Sequence, residues 1–230
     1  MFLINPYIFQ ASGNPLWDGL LAYYTADNTP NDALGNYNGT LVNGATYGTG
    51  IINNGFSFDG VNDYVDLGNV LDFDGSTPFS ISAWCYFTTN TTQAIFAKFT
   101  LTQGYVLQRR NSQDIRFGLY ALNVSGSYLS VRTTSTVSTG GWKHIVVTYD
   151  GSKDVSGVNI YVDDSLMTLT TEANALIGST STTATAKIGS RQSDLYLNGL
   201  EDEVGIWNRE LTPSEVTELY NSGSGKQYPN

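Results

Sequence analysis

The sequence predicts an all-β chain: a sandwich of antiparallel strands with one short helix close to its C-terminus. Three observations lead there. Short runs of alternating apolar and polar residues recur about every ten residues, separated by Gly, Asn, Asp and Ser, the spacing of a two-layer β protein. The 230 residues include 24 glycines and 15 tyrosines but only 14% charged residues, which suits short strands joined by tight turns. Finally, the stretch 199–221 runs from a strand into a helix that carries its own start and stop signals.

Residues 1–17 read as an apolar arm ending near Gly13-Asn14-Pro15. A first strand is expected at 19–24 and another at 39–43. The loop between them, 27–38, is dense in Asp, Asn and Gly, whose side chains can satisfy nearby backbone groups. Within 55–67, Asp59-Gly60 reads as the turn from one strand into the next. The run 79–87 is the clearest strand. Phe79, Ile81, Ala83, Cys85 and Phe87 fall on its core face; Ser80, Ser82, Trp84 and Tyr86 fall on the other, suited to solvent, a ligand or a further layer.

Further strands are expected at 94–99, 104–108, 115–120, 128–133, 142–149, 158–162 and 186–189. After the last strand, Thr212 is placed to N-cap a helix, Pro213 to open it and Glu215 to complete a capping box. Val216, Leu219 and Tyr220 then share a face, and Gly223 supplies the stop. One domain, residues 18–223, accounts for the pattern, with the arm before it and a tail at 224–230 after it.

The formal net charge of -10 argues against nucleic acid, whose phosphates require clustered Lys and Arg. The charge is unevenly placed. Residues 1–97 carry eight acids (Asp18, Asp27, Asp32, Asp59, Asp63, Asp66, Asp72 and Asp74) and no Lys, Arg or His. Such a segment suits solubility, or attraction for a hard cation such as calcium. Cys85 is the only cysteine, which excludes an intrachain disulfide. No apolar run approaches the roughly 18 residues of a membrane span. The opening Met1–Gln10 is apolar but has no basic residue, as a secretory signal would, and is expected to pack against a neighbour.

Several motifs then occur in a characteristic order: Gly-Leu-Leu-Ala-Tyr-Tyr (19–24), Asn38-Gly39-Thr40, Phe58-Asp59-Gly60-Val61-Asn62-Asp63-Tyr64-Val65, Phe79-Ser80-Ile81-Ser82-Ala83-Trp84, the run 142–151 from Trp142 to Gly151, and Asp202-Glu203-Val204-Gly205-Ile206-Trp207-Asn208-Arg209. Over about residues 18–223 the chain resembles the laminin-G-like, concanavalin A-like jelly-roll domains. The resemblance implies two antiparallel sheets packed face to face, one of them concave, with the late helix covering an edge or end. One departure is the turn Asp163-Asp164, where the family usually has Asp-Gly or Asn-Gly. The opening 1–10 resembles those of bacteriophage structural proteins.

The same resemblance implies a structural Ca²⁺ between the first-strand loop and the last strand. Asp27 and Asp202 would then give carboxylates, and the segment 38–43 backbone oxygens. The plainer reading is that Asp27 caps a turn and Asp202 faces solvent. Glycan binding calls for aromatic platforms beside planar polar groups. The candidates are Trp84 and Tyr86, and in the following strands Tyr105, Arg109, Arg110, Arg116 and Tyr120; otherwise these aromatics pack against the other layer. Glu201-Asp202-Glu203 invites comparison with laminarinase-type hydrolases, which share the architecture, but the spacing departs from their alternating acids. His144, the sole histidine, is expected to pack or hydrogen-bond within the sheet.

Together these readings favour a non-enzymatic recognition or decoration module on a virion surface, part of an oligomer or larger assembly. Its expected partners are a glycan, such as a host cell-surface polysaccharide, and other virion proteins contacted through residues 1–17. An extracellular or cell-surface setting is the alternative location. A glycoside hydrolase or polysaccharide lyase, and a purely structural module, are the alternative functions.

Overall fold

The computed structural model describes residues 14–121 and 126–229. In chain order its strands are β1 (Leu20–Tyr24), β2 (Thr40–Val42), β3 (Thr46–Thr49), β4 (Asn54–Asp59), β5 (Tyr64–Asp66), β6 (Phe79–Phe87), β7 (Gln93–Phe99) and β8 (Gly104–Arg109). They continue as β9 (Ile115–Tyr120), β10 (Tyr128–Thr133), β11 (Trp142–Tyr149), β12 (Val158–Val162), β13 (Ser165–Leu166), β14 (Leu169–Asn174), β15 (Ala186–Ile188) and β16 (Asn198–Trp207). One helix, α1 (Pro213–Tyr220), follows.

The strands form two eight-stranded antiparallel sheets. One runs β13-β12-β11-β6-β16-β4-β3, with β1 also on β16; the other runs β14-β10-β9-β8-β7-β15-β5-β2. The expected all-β jelly-roll sandwich with one short C-terminal helix is therefore the architecture found. Its core lies between the sheets, where Phe79, Ile81, Ala83, Cys85 and Phe87 of β6 meet Tyr105, Leu107, Phe117, Leu119 and Val131 of the facing sheet. The period-two alternation of β6 thus has its expected cause, since alternate side chains enter opposite layers.

The other face of the first sheet carries a second apolar layer. Tyr23, Val146, Tyr161 and Trp207 from the strands pack there with Leu16, Leu211, Val216 and Leu219. Trp207 donates its indole N–H to the Leu16 carbonyl at 2.8 Å, so residues 14–17 of the expected arm lie against the sheet. The rest of the arm, 1–13, lies outside the described residues. The tail also differs from the expectation of a segment beyond the domain. Tyr228 packs on Trp17 with ring centroids 5.2 Å apart, and the Tyr23 hydroxyl donates to the Lys226 carbonyl.

Helix α1 starts as the sequence indicates. Thr212 Oγ1 accepts from Glu215 N–H, and Glu215 Oε2 accepts from Thr212 N–H, closing the capping box with Pro213 at the first position. Its end differs: Asn221, at φ 48°, takes the left-handed cap expected of Gly223, and its short amide reaches forward to the Gly225 carbonyl at 2.7 Å. Asp59-Gly60 turns β4 into β5 as expected, and because the two strands lie in different sheets the turn carries the chain across the sandwich. The buried Asp63 carboxylate holds that crossing, accepting from Gly44 and Asp59 N–H. At Asp163-Asp164 both residues adopt positive φ, 50° and 63°. The Asp163 carboxylate supports this turn by accepting from Lys143 Nζ at 2.6 Å and His144 N–H at 3.0 Å.

Candidate functional site

Burial separates the ligand candidates. Tyr105 is in the core, with its hydroxyl donating to the Leu71 carbonyl, so no ligand can stack on it. Arg109 is equally buried. Its guanidinium lies over Phe87 and donates to the Val137 and Thr89 carbonyls and to Asn90 Oδ1, so it serves the loop structure. Trp84 lies beneath the C-terminal layer, stacked with His144 (5.0 Å) and Tyr220 (5.6 Å). These three assignments are corrected. Alternation predicts which residues share a strand face but not that α1 and the tail cover one of the sheets. Tyr86 stays half-exposed, edge-on to Trp142.

Arg116 and Tyr120 are brought together on the outer face of the other sheet. Residues opposite one another in antiparallel strands share a face, and the register of β8, β9 and β10 arranges three rows there. Gln108, Arg116 and Arg132 form one; Val106, Gly118 and Ser130 the next; Gly104, Tyr120 and Tyr128 the third. The middle row is buried, and the Tyr120 ring folds across it toward Arg116, so the arginines and tyrosines meet as one continuous outer face. Gly118 is needed there, since the Tyr120 ring lies back over it and a Cβ would stand 2.7 Å from Cε2.

Tyr120 and Tyr128 stack at 5.5 Å with an 11° tilt, the Arg116 guanidinium lies 5.8 Å over Tyr120, and Phe99 meets that ring edge-on at 5.1 Å. On the arginine side Glu172 accepts from Arg116 (2.6 Å) and Arg110 (2.9 Å), and Asp114 takes Arg110 through two bonds. Burial works against the Glu172 carboxylate, yet the bond and charge of Arg116 outweigh it and hold the group below its usual range. Gln108, 4% exposed on that side, has a buried Oε1 with no partner among the described residues. Gln108, Tyr128 and Arg132 were missed from sequence because their place beside Arg116 and Tyr120 is fixed by register across strands.

A second constellation sits where β16 bulges. Residues 198–201 of β16 pair with β4 and residues 204–207 with β1, both on the same side, and the register shifts between Asp202 and Gly205. The gap between the ends of β1 and β4 receives Asp27 and Asp202. Asp202 accepts from Ile52 N–H at 3.1 Å and from Glu203 N–H at 2.8 Å. Asp27 accepts from Asn54 N–H and from the amides of Asn53 and Gln227. Glu203, at φ 50°, is buried beside them and neither of its carboxylate oxygens has a partner among the described residues.

Burial, aided by neighbouring acids, pushes Asp202 up to about 7 and Glu203 up to about 9. The donor chemistry, carboxylates beside backbone carbonyls, suits a hard cation. Yet among the described residues no group of three or more His, Cys, Asp or Glu side chains is placed as a ready ligand set. A cation here would rely on backbone oxygens and water as well.

The bulge also separates the acids a hydrolase would need. Glu201 enters the core, where the Cys85 thiol donates to its Oε1 at 3.8 Å, and burial raises its carboxyl far above the usual range. Glu203 lies on the other side, against Tyr23 of the outer layer. His144 is buried with Nε2 2.8 Å from Ser82 Oγ, as a packed sheet histidine.

Residues 59–217 match the family described as the concanavalin A-like lectin/glucanases superfamily. A search of curated proteins found no match. Among solved structures, domain 4 of the GH43 extracellular arabinanase AbnA from Geobacillus stearothermophilus, in complex with arabinotriose, superposes with a TM-score of 0.68. It is 22% identical, with 87% of this chain and 98% of that domain covered. The binding domain of Paraclostridial Mosquitocidal Protein 1 gives 0.71 at 18% identity, and that of botulinum neurotoxin serotype D gives 0.68 at 18%. Each of these covers 90% of this chain, which spans 53% of either toxin domain. No helix among the described residues is long and apolar enough to cross a membrane.

Proposed function

The chain belongs to the concanavalin A-like lectin/glucanase superfamily, and we propose that it is a non-enzymatic recognition module that binds glycans on the outer sheet face formed by Arg116, Arg132, Tyr120 and Tyr128. The observation that carries this reading is the pairing of two stacked tyrosines with planar hydrogen-bonding groups on one face of the sheet. A pyranose or furanose ring has an apolar face for the tyrosines and edge hydroxyls for Arg116 and Arg132. The arabinotriose complex of the arabinanase domain supports the ligand class, and the opposed placement of Glu201 and Glu203 supports a non-catalytic role.

Calcium at Asp27 and Asp202 is part of the proposal as a structural ion, where it would offset the buried charge of Asp202 and Glu203 and tie β1 to β16. The proposed setting is the surface of a virion or of a cell, with the part of the arm before Asn14 contacting the neighbouring protein, because residues 14–17 pack on this chain's own sheet. Deleting residues 1–10 is expected to abolish assembly with that neighbour while the melting temperature stays the same; assembly that survives the deletion removes the anchor.

A glycan array followed by calorimetry tests the main reading. Tyr120→Ala and Arg116→Ala should each weaken binding about tenfold, corresponding to about 1.4 kcal/mol. An array silent with and without calcium would leave a structural module instead, and turnover of β-glucans or alginate would leave an enzyme.

A further inference from the structure

The turn from β7 to β8, the segment leading into β15 and the residues following β5 enclose a polar cleft remote from the calcium clasp. It has two arms that share Thr100 and Thr183. One, of about 420 Å³, is lined by Asn69, Asp72, Gln103 and Thr182; the other, of about 220 Å³, reaches Phe99, Thr185, Lys187 and Gln192. The larger arm lies in the volume range of small-molecule sites, and the smaller one extends it.

At its floor is Lys98, with no exposed surface. The ammonium donates to Asn69 Oδ1 and to the Ala184 carbonyl, each at 2.6 Å, and forms none of the ion pairs among the described residues. An ammonium has three hydrogens to donate, so one remains.

The side chains above that floor are each fixed through one polar atom and free at the other. Asn69 accepts through Oδ1, which leaves its amide hydrogens to donate. Asp72 Oδ1 takes the Thr182 N–H at 2.9 Å, leaving Oδ2. Gln103 Nε2 donates to the Ser179 carbonyl at 3.2 Å, leaving Oε1. Thr182 Oγ1 accepts from Ala184 N–H at 3.3 Å, which leaves its hydroxyl hydrogen. Two donors (Asn69 and Thr182) and two acceptors (Asp72 and Gln103) are thus already held in place above a buried cation.

We propose that this cleft is a second saccharide site, which takes a neutral sugar through a pair of adjacent hydroxyls. The inference rests on the glycan-binding reading for its ligand class and on the cleft alone for its place. A hydroxyl both donates and accepts, so two neighbouring hydroxyls match alternating donors and acceptors. An anion only accepts, and it would leave Asp72 Oδ2 and Gln103 Oε1 facing like charge or lone pairs. The net charge of -10 works against an anion as well. Because the recognising groups are held before the ligand arrives, little ordering cost falls on binding.

The test is nuclear magnetic resonance of the ¹⁵N-labelled full chain, titrated separately with arabinotriose, xylotriose, cellotriose and inorganic sulfate. A neutral trisaccharide should shift the amides of Gln103 and residues 181–183. Asp72→Asn combined with Gln103→Ala should weaken those shifts about tenfold, while Tyr120→Ala leaves them in place. Asp72 is exposed and Asn keeps the oxygen that accepts from Thr182, so the double variant retains the local fold; its unchanged melting temperature is the control. Cleft shifts with sulfate but with no sugar would overturn the proposal. So would sugar shifts confined to Arg116–Tyr120, which would leave the outer face standing and remove the cleft. Cleft shifts that persist where the outer face shows none would uphold the second site and remove the first.

Discussion

Acid should remove one residue's contribution to the stability of this protein. His144 is buried with its ring between sheet and helix layer, stacked on Trp84 and 6.1 Å from the Tyr220 ring. Ser82 meets Nε2, while Nδ1 is buried without a partner among the described residues. Asp163, the nearest acid bonded to this residue, accepts from the His144 backbone N–H and from Lys143, so its carboxylate gives the imidazole no direct ion pair. Burial alone therefore drives the shift, from 6.5 to about 3. The folded state keeps the ring neutral, whereas the unfolded chain takes a proton below about pH 6.5. Stability contributed by the neutral ring is therefore present above the unfolded value and is lost as pH falls toward the folded one.

Between about pH 7.5 and about pH 5 the contribution of His144 falls by about 2 kcal/mol. The figure hardly depends on the folded value, because any value below about 4 gives nearly the same result at about pH 5. Asp202 and Glu203, whose folded values are raised, gain stability over the same fall in pH and oppose it in the wild-type curve. The assay is therefore a difference: urea unfolding of wild type and His144→Phe across the pH range. Phe keeps the ring stack and leaves Ser82 without its partner, a loss that does not vary with pH. The stability advantage of wild type over the variant should shrink by about 2 kcal/mol on acidification. Parallel curves would refute the reasoning, since they would mean that the ring does not change its proton between the two states.

Three further outcomes follow from the same structure. Adding Ca²⁺ should raise the melting temperature and chelator should lower it, with both effects lost in Asp27→Asn and Asp202→Asn; identical melts would remove the ion. Thr212→Ala deletes the acceptor for Glu215 N–H and should cost about 1 kcal/mol, seen as an earlier denaturation midpoint, and an unchanged midpoint would show the capping box to be dispensable. Glu201→Gln replaces a buried acid held protonated at neutral pH with an amide of the same shape, so the expected change is below about 1 kcal/mol. A loss of several kcal/mol would mean that Glu201 is ionised.

Much of the fold is legible in the sequence because its causes are local. The alternation of β6 and the capping box of α1 each depend on residues close together in the chain, and both appear where expected. The short strands β3, β13 and β14 were not anticipated. Their burial is slight, and without one buried face a strand loses its alternation. The turn at Asp59-Gly60 was legible, but its crossing between the sheets was not, since Asp63 acts through Gly44, a residue distant in the chain. At the candidate sites the limit was register. Arg116 and Tyr120 were found as residue types, whereas Gln108, Tyr128 and Arg132 join them only by strand pairing. The consecutive acids 201–203 could not be assigned to faces, because the bulge that sends Glu201 inward and Glu203 outward has no local marker.

The acidic, base-free first segment acquires a physical meaning once its contacts are traced. Asp32 alone accepts from the N–H groups of Tyr23, Leu34, Asn36 and Tyr37, and so folds the loop after β1 around one buried carboxylate. Asp27, Asp59, Asp63, Asp66, Asp72 and Asp74 each accept at least one backbone N–H as well. Short strands leave many loops, and loops leave backbone donors that an Asp side chain can satisfy without a base. Net charge is therefore no argument for a cation, because nearly every acid of the segment already has protein donors. Glu203, late in the chain, differs: a buried carboxylate with no hydrogen-bond partner on either oxygen among the described residues, beside Asp202 and at positive φ. Of all the acids in this chain, it is the one whose surroundings an ion would change most, which is why the calcium titration and the Asp202→Asn control bear on the bulge rather than on the acidic loops.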